Sequence, residues 1–232
     1  MEYVLVTLAV LMGIVVWWIL RQTVNVKPWV PAASTEAVDS SGVRAGLDED
    51  SNPLRPSKVA LGGFLAVSSS IFALFISAYS IRMEYGDWRP LPEPMLLWAN
   101  TGILILCSVF LHSAWLAVKK QNLKGIKAGL ALGAMMTFAF MIGQGMAWNQ
   151  LLDSGYGIAG NPANAFFYTL TALHALHLLG GLIALAFAFK KVWGAVEFSE
   201  IEDKVYAIEL CGVYWHFFLA VWAILFTYLL NT

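Results

Sequence analysis

Long apolar stretches, broken at intervals by charge and proline, dominate this chain. Six of them are bounded by charged or turn-forming residues: Tyr3–Leu20, Val59–Ile81, Met95–Val118, Ala128–Trp148, Asn164–Phe189 and Val205–Leu230. All approach or exceed the ~17–25 residues that carry a helix across the hydrocarbon of a bilayer. None alternates with the two-residue period of a barrel strand. The pattern predicts an all-α integral membrane protein with six transmembrane helices, one leading helix followed by a five-helix core bundle.

Composition supports that reading. The 232 residues are 59% hydrophobic and 12% charged, whereas a soluble domain carries about 25% charged residues. So few charges cannot coat a water-facing globule. A formal net charge of -1 also leaves no basic surface for nucleic acid.

The basic residues orient the bundle, because lysine and arginine collect on the cytoplasmic side. Twelve of the fourteen fall in or beside the first, third and fifth connections; Arg82 and Arg89 alone fall on the other side. This predicts both termini facing outward. The first run has no basic residue before it, is followed by Arg21 and Lys27, and lacks a small-residue cleavage site. It is expected to stay as a helix instead of leaving as a signal peptide.

Three segments follow: a leading transmembrane helix over 1–20, a cytoplasmic linker over 21–57, and a core over 58–232. The linker combines prolines, serines and the acidic run Asp48-Glu49-Asp50, a composition of irregular, solvated backbone. Pro90, Pro92 and Pro94 stiffen the entry to the third helix. Asn161-Pro162 marks the start of the fifth, since proline fits a first helical turn.

Candidate chemistry rests on polar groups at membrane depth, where burial demands partners. His174 and His177 are three residues apart and share a helix face; His216 lies in Tyr214-Trp215-His216-Phe217, and His112 stands alone. Histidine can ligate haem iron, so His174 and His216 could form a cytochrome b-like anchor. Interhelical or lipid hydrogen bonding is the plainer use. Glu209 is the one carboxylate inside a proposed span, about one turn from its cytoplasmic end. Asn100 and Gln144 are candidates for helix–helix polar contacts.

Cys107 and Cys211 form no CxxC pattern and read as apolar filler. Phosphate-binding, dinucleotide and zinc-protease motifs are absent from the sequence. Gly125, Gly129 and Gly133 recur at four-residue spacing, which permits close helix approach.

The segment Phe166-Phe167-Tyr168-Thr169-Leu170-Thr171-Ala172-Leu173-His174-Ala175-Leu176-His177, with Glu209, Tyr214-Trp215-His216-Phe217 and Val221-Trp222, resembles subunit III of the haem–copper terminal oxidases. Asn100-Thr101 after the proline-rich loop and Gln144 in the fourth helix agree in order, and the likeness runs from Ser57 to Leu230. The resemblance implies a non-redox subunit of a proton-pumping oxidase that reduces dioxygen to water. Haem and copper would reside in partner subunits, with subunit I in direct contact and subunit II in the same complex. A cleft holding structural phospholipids is implied, with His174, His177, Glu209, Trp215 and His216 as its lipid and packing seam. So are a role in stability and proton uptake, and a place in the bacterial cytoplasmic (inner) membrane.

Two positions depart from the family pattern. Ser70 and Leu219 stand where the family commonly carries acidic residues, so no role of those carboxylates transfers. Three function classes therefore remain in view: the oxidase accessory subunit, a haem-carrying anchor, and a small transporter. Broken helices or several mid-membrane charges would point to the last, and the sequence offers neither clearly.

Overall fold

The computed structural model describes Trp17, residues 56–92 and residues 94–230, with backbone alone at 202 and 203. Apart from Trp17, the expected leading helix lies outside the described residues, as does the expected linker up to residue 55. Within the described residues five helices are long and apolar enough to cross a membrane. They are α1 (Pro56–Arg82), α2 (Leu96–Lys119), α3 (Leu123–Asp153), α4 (Pro162–Trp193) and α5 (Val205–Leu230).

The helix ends differ from the apolar runs for a simple reason. Hydropathy marks what sits in hydrocarbon, whereas backbone hydrogen bonding continues into polar flanks. Thus α1 begins at Pro56, inside the expected linker, and α3 extends well beyond the apolar run on both sides. At the start of α3 the Asn122 side chain accepts from the Gly125 amide at 3.1 Å, a side-chain cap that satisfies a free first-turn N–H. At the start of α4 Asn161 accepts from the Ala163 amide at 3.2 Å, with Pro162 in the first turn as expected. Gly155, at φ +86, takes the left-handed turn after α3 that a Cβ would disfavour.

A 3-10 turn over Phe198–Lys204 leads into α5. The Glu200 carboxylate accepts from the amides of Val196 (3.3 Å) and Glu197 (3.4 Å) there. Nearby, Lys127 of α3 donates to the carbonyls of Trp193 (2.9 Å) and Ala195 (2.8 Å). One ammonium thereby satisfies carbonyls that the end of α4 leaves open. At the opposite end of the helices, Arg82 and Asp87 pair at 2.5 Å.

The chain divides into two units, with the boundary inside α1: the first ends at Ser69 and the second is Ser70–Thr232. In the first, the Ser69 hydroxyl donates to the Leu65 carbonyl at 2.8 Å, one turn back on the same helix. The second is held most extensively by α2 against α3. Glycine makes that approach possible. A Cβ at Gly129 would lie 2.7 Å from Ala114 Cβ and 2.8 Å from the Phe110 carbonyl, and one at Gly133 would lie 2.6 Å from Leu111. The four-residue glycine spacing therefore lies along the face of α3 that meets α2.

Candidate functional site

Among the described residues, the candidate polar side chains fall into three groupings on the membrane-crossing helices. The first joins α4 to α5. His174 is fully buried, its Nε2 is 3.1 Å from the Phe218 carbonyl, and its ring packs among Phe140, Phe218 and Trp222. A carbonyl only accepts, so Nε2 carries the hydrogen. Nδ1 then offers a lone pair, and it has no partner among the described residues. One turn on, His177 Nδ1 donates to the Leu173 carbonyl at 2.7 Å, and its ring meets Phe72 and Phe218. The Tyr214 hydroxyl crosses from α5 to donate to the His177 carbonyl at 2.6 Å. Gly181 creates the room for it, since a Cβ there would overlap the Tyr214 ring.

The second grouping lies between α2 and α3. Asn100 and Gln144 are buried at 0% and 1% exposure, and neither carboxamide has a hydrogen-bond partner among the described residues. Gly143 sits directly against the Asn100 amide, where a Cβ would collide with it. Cys107, about two turns further along α2, is a fully buried free cysteine, as expected. Its sulfur meets the Gly133 carbonyl at 3.3 Å and the Thr137 hydroxyl at 3.2 Å.

The third joins α2 to α5. Ser108 Oγ lies 2.5 Å from His216 Nδ1, the rings of His216 and His112 are 5.6 Å apart, and both histidines are exposed. His112 also faces Trp115, over which Lys119 places its ammonium at 3.7 Å.

The residues expected to form one seam are thus divided. His174 and His177 share the α4–α5 contact, and Trp215, 2% exposed, is buried near Gly181. His216 turns to α2, and Glu209 is exposed. The reason is angular. On α5, residues 214, 215, 218 and 222 repeat at helical spacing toward α4, whereas 209 and 216 fall on another face.

This geometry also separates the two histidines of the haem-anchor reading. One ring is enclosed among α3 and α5 aromatics with a nitrogen bonded to Phe218; the other is exposed and bonded to Ser108. They do not face each other. Reading the sequence did not find Ser108 or the Tyr214 contact, although Gly180-Gly181 was a signal for the latter.

The family model described as cytochrome c oxidase subunit III matches residues 59–231, about three quarters of the chain. The chain belongs to the cytochrome c oxidase subunit III family. A probable cytochrome c oxidase subunit 3 of Mycobacterium bovis is 29% identical over 200 residues, covering 83% of this chain and 97% of that protein. The cytochrome c oxidase subunit 3 of Thermostichus vulcanus is 28% identical over 197 residues, covering 83% and 95%. That of Synechocystis is 29% identical over 168 residues, 70% of each. The family match runs from residue 59 in α1 through α5 and hence embraces all three polar groupings of this subunit III family member. With its membrane-crossing helices and bacterial relatives, it is a multi-pass membrane protein.

Proposed function

We propose that this chain is the non-redox accessory subunit of a proton-pumping haem–copper respiratory oxidase. The family match over 59–231 carries the reading. Electron transfer and the reduction of dioxygen to water take place in partner chains that hold the haems and copper. This chain packs directly against the catalytic subunit I, in one complex with subunit II, in the bacterial inner membrane with both termini outward. It supports stability, phospholipid retention and proton uptake by the catalytic subunit.

The bonding of the histidines favours such a supporting role. His174, His177 and His216 each bond a protein atom. His174, His177 and Trp215 stiffen the α4–α5 contact, while Glu209 and His216 remain at the surface for neighbouring lipid or protein. Asn100 and Gln144 serve the α2–α3 contact.

Purification of the intact complex through a tag on this chain tests the proposal. A haem- and copper-bearing catalytic subunit should accompany it in stoichiometric amount, with bound phospholipid seen by mass spectrometry. Removing this chain should leave the haem spectrum with the catalytic subunit and shorten its turnover life. A Soret band that stays with this chain would overturn the reading.

A further inference from the structure

The exposed histidines of α2 and α5 demand an explanation that the interior does not supply. His216 comes eleven residues after the first residue of α5, about 16 Å along the axis and so near the middle of a ~30 Å hydrocarbon layer. Ser108 of α2 meets it at the same level. His112 lies one turn nearer the Lys119 end of its helix.

If Ser108 donates to His216 Nδ1, the Nε2–H of His216 is left without an acceptor among the described residues. His112 makes no hydrogen bond among the described residues, so at least one of its nitrogens is a second bare donor there. Bare N–H groups are costly in hydrocarbon. Acceptors of the described residues do not reach them. Glu209, on the same face of α5, is seven residues from His216, about 10 Å along the axis, and Lys119 adds only positive charge.

We propose that the α2–α5 face seats a transmembrane helix of a partner subunit, whose Asp or Glu carboxylate bridges His112 and His216. A carboxylate complements two donors whose rings are 5.6 Å apart, with its two oxygens available to separate N–H groups. The phosphate of a lipid headgroup lies outside the hydrocarbon and does not reach the depth of His216. Small exposed residues follow on α5, Ala220 and Ala223, and Gly102 on α2 has open space beyond its Cα. They let a partner backbone come close. The outer face of α4 is different: Leu176, Ile183 and Phe187 are 54–64% exposed and suit lipid tails.

This proposal rests on the accessory-subunit reading for the identity of the partner, but its test separates the two. A photo-crosslinking residue is placed at Val109 or Ala220, and as a comparison at Leu176 or Phe187, in membranes containing the whole complex. The docking face predicts polypeptide adducts from the first pair, on a membrane-spanning segment that carries Asp or Glu, and lipid adducts from the second pair. His112→Leu with His216→Leu should lower partner retention by about thirtyfold or more, as removal of one side of a buried charge-assisted contact does. Glutamine at both positions, which keeps donors, should retain more partner than leucine. Should the leucine variant fail to accumulate, the crosslinks in the unsubstituted background still decide.

Lipid-only adducts from Val109 and Ala220, equal polypeptide yield from α4, or a partner segment without a carboxylate would each overturn the docking proposal. If the oxidase subunits co-purify in that event, the accessory-subunit reading survives alone. Conversely, adducts to an acidic helix of a protein that is not an oxidase subunit would support the docking face and sink the accessory reading.

Discussion

Adding one methyl group at Gly129 should separate α2 from α3. The Cβ of Gly129→Ala would lie 2.7 Å from Ala114 Cβ, 2.8 Å from the Phe110 carbonyl oxygen and 2.9 Å from the Ala114 amide nitrogen. Carbon contacts favour ~3.5–4.0 Å, and a shift of 0.5–1 Å forfeits a quarter to a half of each neighbouring contact's dispersion energy. Two of the three obstructing atoms are backbone, so rotamer changes cannot relieve the overlap. Overpacking of this kind costs about 1–3 kcal/mol, here toward the upper end, partly offset by the ~1 kcal/mol by which alanine favours a helix over glycine.

The comparison variant is Gly145→Ala in the same helix, where nothing lies within 4 Å of the new Cβ. It gains the helix preference and meets no clash. The two variants should thus differ by about 2–3 kcal/mol, or roughly 4–12 °C in thermal midpoint for a chain of this size. Thermal unfolding of the purified complex in detergent, followed by loss of protection of the α2 and α3 amides, measures this. Equal midpoints for the two variants, or a higher midpoint for Gly129→Ala, would refute the steric account of the glycine spacing.

Further outcomes follow from single contacts. Tyr214→Phe removes the hydroxyl donated to the His177 carbonyl and should cost about 0.5–1.5 kcal/mol, read as the same thermal midpoint, with no change in helix content by circular dichroism. Lys127→Met withdraws the ammonium from Trp193 and Ala195; hydrogen exchange should quicken over residues 195–200 and stay unchanged at the start of α4. The Asp87 carboxyl is held below its ordinary range chiefly by the hydrogen bond from Arg82; desolvation opposes this, and the Arg82 charge adds a smaller lowering. A depressed folded pKa means the pairing contributes fully above the unfolded carboxylate pKa and is lost as pH falls through the lower folded value. Carboxyl NMR should show the Asp87 midpoint rise in Arg82→Gln, and an unchanged midpoint would dismiss the pairing.

The sequence by itself determined the membrane class, the existence of α1 to α5 and the family. Runs such as Val205–Leu230 have no alternative in water, because helix length and hydrocarbon thickness impose the same constraint on every chain. Asn122 and Asn161 are local signals too, since a cap acts within its own turn. The Gly125–Gly129–Gly133 spacing foretold a close approach, but the neighbour it admits, α2, is a property of the folded chain. Only the tertiary structure decided how the histidines are divided. His174 and His216 look equivalent in a list of polar residues inside spans. Rotation about α4 and α5 buries the first against Phe218 and brings the second to Ser108 of α2. Helical periodicity says which residues share a face, but which helix that face meets depends on packing between segments far apart in the chain, and no local pattern encodes it.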